Sequence, residues 1–239
     1  MDRIVIVVAL GGAFVRFGNF MNSEIIGKPS NSDQGVFFAR DVIERLEYEK
    51  YIDKVSIIHS TKKAASDSLK YPVDIRVVFK KGNVEEDYVN AYLSMQIKQI
   101  LVSSEYVKMQ IAEPANLPLD YSLTKNNHGN YEAVIHSYAI PRHPAQLYES
   151  ASCIFLFIIL FTLWKLRWRV IADGRIFGIF LVILFTLRFL YEFLKVNQVS
   201  FEDNMSLNMG QWLSIPLVVF GLYLLLRKGK NSQMPTLPV

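Results

Sequence analysis

The residues best suited to chemistry lie at the edges of apolar runs. "VRFGNFMNSE" (Val15 to Glu24) places Arg16, Asn19 and Asn22 at the end of one run, and "RHPAQLYE" (Arg142 to Glu149) places His143, Tyr148 and Glu149 ahead of another. "RFLYEFLK" carries Arg188 and Glu192 at the end of a third, and "NMGQW" opens a fourth with Gln211. Charges in such places are expensive, roughly 2.5 to 3.5 kcal/mol each even on lenient scales, and they usually face a protein interior or a wet cavity. Arg188 and Glu192 are four residues apart, so one helix face holds both and each can offset the other. Arg16 has no such partner nearby; its candidate anions are Glu149, Glu192 and a lipid phosphate. Two arginines with neutral amides between them form a plausible phosphate clamp. Blander readings stay open. Arg16 could snorkel to the headgroups, Tyr148 and Trp212 could be interfacial aromatics, Gly18 could be a close-packing point between helices, and Asn208 and Gln211 could simply begin a helix.

These residues must be positioned by the elements that carry them. The chain has 239 residues, 51% hydrophobic and 20% charged, with the apolar residues gathered in blocks. That patterning suggests a membrane protein with a soluble part. Ile4–Asn22, Ser150–Trp164, Ile176–Leu194 and Asn204–Leu226 approach the roughly 20 residues that a spanning helix needs. At about 1.5 Å per residue the first reaches roughly 28 Å, just enough to cross. "KLRWRVIADGR" (Lys165 to Arg175) and "RKGK" (Arg227 to Lys230) are basic and should be cytoplasmic. Ser23 to Arg142 should then lie outside, since long segments translocate largely regardless of charge. With both termini inside, this topology brings all four polar clusters to one level, beside the outer headgroups.

The expected organisation is a first transmembrane helix over 1–22, an extracytoplasmic α/β head over 23–142, a three-helix transmembrane region over 143–230 and a cytoplasmic tail over 231–239. In the head, "GVFFARDVIERLEYEK" and "EEDYVNAYLSMQIKQILVSS" have helical periodicity, whereas "KVSIIHS", "DIRVVFKKGN" and "YEAVIHSY" read as strands. No internal repeat or nucleotide-binding loop stands out, and the tail "NSQMPTLPV" has the composition of a disordered end. The first apolar block lacks the basic leader and small-residue cleavage site of a signal peptide. The formal charge of +4 is accounted for by the basic flanks and the head, so nucleic acid is not expected as a partner. Cys153 is the single cysteine, which excludes an intrachain disulfide and a CxxC site, and it reads as a small packing residue.

"RFGNFMNSEIIGKPS" resembles the signature of the phosphatidylglycerol:prolipoprotein diacylglyceryl transferase family, roughly G-R-x-G-N-F-x-N-x-E-x-x-G, with Arg16, Gly18, Asn19, Phe20, Asn22, Glu24 and Gly27 in register. "HPAQLYE" is similar to a second family motif, and "RFLYEFLK" with "SLNMGQWLSIP" looks like the last two helices. The resemblance implies an inner-membrane enzyme with its active site facing the periplasm. Its substrates would be phosphatidylglycerol and a prolipoprotein signal peptide with a lipobox cysteine. It also implies phospholipid binding by Arg16, a second essential arginine at Arg188, and a site lined by Glu149, Tyr148, Asn19, Glu192 and Gln211. The substrate supplies the thiol, so the chain needs no cysteine of its own, and no metal or other cofactor is called for. That thiol has a free pKa of about 8.5 and must lose its proton. His143 is the nearest candidate base, while His59, His128 and His136 read as surface residues.

The departures are Val15 in place of the signature's first glycine, Lys195 in place of the usual arginine, and no counterpart of the family's amino-terminal helices with their His-Gly-Gly motif. "HG" at His128 and Gly129 falls in a polar loop and does not replace that motif. By the resemblance, the chain is expected to correspond to the carboxyl-terminal half or more of such an enzyme. The alternative expectation is a truncated, non-catalytic phospholipid-binding membrane protein.

Overall fold

The computed structural model describes residues 1–30, 35–60, 70–82, 85–126, 129–167, 171–196, 201–202 and 205–227. His128, Lys228 to Lys230 and the tail at 231–239 lie outside the described residues. The chain divides into two compact units, Met1–Lys28 with Pro144–Val239, and Pro29–His143.

The first unit is built on four helices long and apolar enough to cross a membrane. They are α1 (Ile4–Met21), α6 (Ala145–Arg167), α7 (Arg175–Tyr191, extended by a 3₁₀ turn over Glu192–Leu194) and α8 (Met209–Leu226). Each buries one stripe, such as Val5, Ala9 and Ala13 on α1 or Leu156 and Leu160 on α6. Large apolar side chains such as Phe14, Phe155, Leu213 and Val219 are left exposed around the outside, as expected where lipid is the solvent.

The ends of these helices have identifiable causes. α6 starts five residues earlier than Ser150: the Pro144 carbonyl accepts from Leu147 and Tyr148, so "AQLYE" is helical. The described part of the expected fourth run becomes helical at Met209, because Asn208 and Gln211 form a capping box in which each side chain bonds the other's backbone. α7 is capped from a distance: the Asp2 carboxylate accepts from the amides of Gly174 and Phe177, at 2.7 and 2.9 Å. Gly174 sits there at φ 87°, a conformation that suits glycine.

Close packing also differs from the expectation at Gly18, where an added Cβ would meet nothing within 4 Å. The small residues that let α1 approach α6 lie deeper: Ala9 and Ala13 are buried, and a Cβ on Gly12 would stand 3.6 Å from Cys153 Sγ. A closer approach joins α7 and α8, where a Cβ on Gly221 would come within 2.9 Å of both Leu181 and Val182 and 3.0 Å of the Gly178 carbonyl.

The second unit is an antiparallel sheet backed by short helices. β1 (Ile52–His59), β2 (Tyr71–Phe79), β3 (Tyr121–Lys125) and β4 (Tyr131–Ala139) pair in the order β1-β2-β4-β3. Alternation sends Val73, Ile75, Val77 and Phe79 of β2, with Ala133 and Ile135 of β4, into the core. There they meet α2 (Arg40–Glu47) and a longer helical run of α3 (Glu86–Tyr92), a π-helical turn (Leu93–Ile97) and α4 (Lys98–Ser103), followed by the short α5 (Glu105–Lys108). On the opposite sheet face His136 Nδ1 lies 2.7 Å from Asp74, its cross-strand neighbour. His136 is therefore a paired residue and not a bare surface histidine; His59 is exposed.

Gly221→Ala should destabilise the helical unit by roughly 1 to 3 kcal/mol, the usual cost of overpacking. Gly18→Ala should be nearly silent. Thermal unfolding of the detergent-solubilised chain, followed by circular dichroism, checks the contrast.

Candidate functional site

The polar ends of the four long helices form one connected charge network. Arg16 of α1 pairs with Glu149 of α6, Nε to Oε2 at 2.8 Å. Lys195, which follows the 3₁₀ turn, reaches the other Glu149 oxygen at 2.5 Å and Glu192 Oε1 at 3.2 Å. Asn208, the cap of α8, donates through Nδ2 to Glu192 Oε2 at 3.1 Å. Burial here is deep: the side chains of Lys195 and Glu149 are 4% and 7% exposed. A charge buried to that extent is tolerated only with close partners, and removing one partner strands the other.

Backbone geometry places Lys195. After α1 the chain turns sharply, with Ser23 and Ile25 at φ 58° and 55°. Such values are costly for a β-branched residue. The turn lets residues 26–28 run antiparallel to 194–196: Lys28 N donates to Leu194 O at 2.7 Å and Val196 N to Ile26 O at 3.3 Å. The turn is held from α6 as well, where the fully buried Gln146 donates to the Glu24 carbonyl at 2.5 Å. Ser150 donates to the Ala13 carbonyl at 2.9 Å and fixes α1 against α6 one turn further in.

Gly210 shapes the other side. A Cβ there would lie 2.6 Å from Glu192 Oε1, so any larger residue would displace that carboxylate from its place beside the first turn of α8. The placement also sets a negative charge near the positive end of the helix dipole.

Beneath the network lies a cavity of about 140 Å³. Arg16, Glu149, Ser152, Arg188 and Tyr191 supply its polar lining, and Cys153, Leu156, Leu184 and Phe185 are among its apolar walls. Arg188 is held loosely: its Nε is 3.9 Å from Glu192, and that atom is buried without a hydrogen-bond partner. A guanidinium N–H left without a partner in a residue that lines a cavity is suited to an anionic oxygen. Among the described residues, no group of His, Cys, Asp and Glu could hold a metal ion.

Of the residues singled out by sequence, Arg16, Glu149 and Arg188 line the cavity and Glu192 joins their network. Asn19 lies three residues beyond Arg16, half-buried, and Asn22 and Tyr148 are exposed; none of the three lines the cavity. Gln211 does not line it either: it is 3% exposed and spent on the α8 cap, with a long contact to the Phe189 carbonyl. His143 is the last residue of the second unit and is absent from the cavity lining. Arg142, which opens the same motif, is buried in that unit with its guanidinium donating to the Met109 carbonyl, and burial pushes its pKa down. Sequence reasoning treated Lys195 only as a departure and overlooked Ser152 and Tyr191. Their signal was spacing: Lys195 follows Glu192 by three, Ser152 follows Glu149 by three and Tyr191 follows Arg188 by three.

Lys195→Met should cost roughly 3 to 5 kcal/mol by stranding Glu149, the penalty typical of a broken buried pair. Combining it with Glu149→Gln should recover part of that loss, since the buried carboxylate is then neutral, although Arg16, whose side chain is 23% exposed, loses its partner. Thermal denaturation of the two variants and the parent measures both effects.

Residues 1–227 match the family model described as prolipoprotein diacylglyceryl transferase. Similar curated proteins carry the name phosphatidylglycerol–prolipoprotein diacylglyceryl transferase. The one from Bacteroides fragilis is 49% identical over 94 residues, covering 39% of this chain and 34% of that protein. The one from Tolumonas auensis is 26% identical over 231 residues, 97% of this chain and 52% of that protein. A third, from Protochlamydia amoebophila, is 47% identical over 92 residues, 38% and 25% of the respective chains. The chain thus spans at most about half the length of these relatives. No solved structure matches it. Placed beside the arginine–carboxylate network at the ends of four apolar helices, the match over nearly the whole chain means that the protein belongs to the prolipoprotein diacylglyceryl transferase family.

Proposed function

We propose that this chain moves the diacylglyceryl group of phosphatidylglycerol onto the lipobox cysteine of a prolipoprotein, at the periplasmic face of the bacterial inner membrane. In this reaction the substrate sulfur attacks a glycerol carbon, the carbon–oxygen bond to the phosphate breaks, and glycerol phosphate leaves as a thioether forms. The names of the relatives give diacylglyceryl transfer with phosphatidylglycerol and prolipoprotein for those proteins, which supports the reading.

The observation that carries the reading is the charge left over around the cavity. Arg16, Arg188 and Lys195 face Glu149 and Glu192, so the formal charges leave one positive unit unmatched, and the Arg188 Nε has no hydrogen-bond partner. A phosphodiester carries one negative charge and acceptor oxygens, and it complements that balance. Size agrees: a cavity of about 150 Å³ holds a benzene-sized group, and the 140 Å³ here suits a headgroup fragment but not acyl chains. The chains would lie in the bilayer. As the carbon–oxygen bond breaks, Arg16 and Arg188 would neutralise the phosphate that leaves, with Asn19 and Asn22 beyond them toward the headgroup region. Glu149 would keep Arg16 in place. The orientation is supported by the opposite helix ends, where Lys165, Arg167, Arg175 and Arg227 provide the basic flanks expected on the cytoplasmic side.

A second reading, phospholipid binding without transfer, is favoured by one observation. Among the described residues no histidine lines the cavity, and Glu149 is already engaged by two cations, so the described lining offers no unengaged base for the incoming thiol. The two readings part in one experiment: the folded chain is incubated in phosphatidylglycerol vesicles with a lipobox peptide, and the peptide cysteine is examined by mass spectrometry. Transfer predicts a diacylglyceryl mass gain that falls by hundreds-fold in Arg16→Ala and Arg188→Ala, as for the loss of about 3 to 4 kcal/mol of oxyanion stabilisation. Lipid binding with no mass gain would leave only the second reading.

A further inference from the structure

The spanning helices pack as two pairs. α1 lies along α6 and α7 along α8, whereas α6 and α7 meet much less extensively. The cavity sits at that seam, walled by α1 and α6 on one side and by α7 on the other. Among the described residues, two side chain to side chain links join α6 to α7 and the segment after it: the Glu149–Lys195 ion pair, and a hydrogen bond of 2.5 Å between Ser152 and Tyr191.

Proton counting gives the second link its direction. A serine hydroxyl has one proton to donate. Ser152 Oγ is 2.7 Å from the Tyr148 carbonyl, which can only accept, so the serine donates there and the Tyr191 hydroxyl donates to the serine. Tyr191 stands three residues beyond Arg188, on the same face of α7 and in its last turn, just where the helix tightens into the 3₁₀ turn. Little else orients Arg188, given its loose ion pair and its unpartnered Nε.

We propose that Tyr191 is a positioning residue: by tying the last turn of α7 to Ser152, it holds the Arg188 guanidinium where it meets a phosphodiester in the cavity. The proposal rests on the reading of that cavity as a phospholipid headgroup site. It concerns how the arginine is held, which its own side-chain contacts leave open. Measured interhelical hydrogen bonds in membranes indicate that losing this one should weaken phosphodiester binding roughly three- to tenfold.

Cys153 provides the probe, being the only cysteine of the chain and part of the cavity wall. The full chain, Tyr191→Phe, Ser152→Ala and Ser152→Thr are each placed in phosphatidylcholine vesicles containing increasing phosphatidylglycerol. Alkylation of Cys153 by N-ethylmaleimide is then followed by mass spectrometry. In the parent chain, phosphatidylglycerol should slow alkylation. Tyr191→Phe should need roughly three to ten times more of the lipid for half-protection, with the same protection at saturation. Ser152→Ala removes the acceptor from the other helix and should show the same shift, so it serves if the tyrosine variant does not fold. Ser152→Thr keeps the hydroxyl and should restore the parent half-point. Protection of the parent with an unshifted half-point in Tyr191→Phe and Ser152→Ala overturns the proposal, even if their alkylation without phosphatidylglycerol is faster. A parent chain that phosphatidylglycerol does not protect removes the headgroup reading, and with it the proposal.

Discussion

The arrangement around the cavity depends on one carboxylate. Glu149 sits on the first turns of α6, almost sealed from solvent, with Arg16 at one oxygen and Lys195 at the other. Such a group is unfavourable alone and acceptable only with both cations near, so its burial ties α1, α6 and the segment after α7 to one another. The turn with positive φ at Ser23 and Ile25, the Gln146 contact to Glu24 and the antiparallel pairing of residues 26–28 with 194–196 all serve to bring those cations within reach. Glu192 extends the same logic to α8 through Lys195 and Asn208.

The charge balance then separates two tasks that arginine often combines. Arg16 is engaged by Glu149 at short distance, which fixes its direction. Arg188 is held weakly and keeps a donor unspent. A site with one anchored and one under-committed guanidinium can admit an anion without first breaking a strong ion pair, and it keeps a fixed cation against which the newcomer is oriented. The mixed lining suits an amphiphile for the same reason, with polar groups toward the helix ends and Leu156, Leu184 and Phe185 below them.

Much of this was legible in the sequence, because hydrophobic runs and charges within them have few solutions in a bilayer. The four spans, the convergence of their polar ends and Glu149 as a possible partner of Arg16 followed from length, topology and the scarcity of anions. What could not be read depended on the direction of side chains across helices. Gln211 looked like a lining group because it lies at the right level, yet its own backbone turn claims it through the α8 cap. Gly18 looked like a packing point because small-residue spacing recurs along α1, and only the crossing with α6 selects Ala9 and Ala13 instead. In the second unit, β2 and β4 alternate cleanly, whereas "YSLTK" is short and largely exposed and becomes a strand only by pairing with β4. The helical run after Glu85 was visible as a period, but the π turn within it was not, since it changes the winding without changing the residue types.

The close approach at Gly210 has a consequence for how sequences of this kind can vary. The Glu192 carboxylate occupies the space where any side chain at position 210 would begin, so a change at 210 bears directly on residue 192. A residue larger than glycine at 210 requires a shorter or redirected group at 192, and that change passes to Lys195 and Asn208, which share the carboxylate. In a set of related chains, a residue larger than glycine at 210 should therefore arrive together with a change at 192.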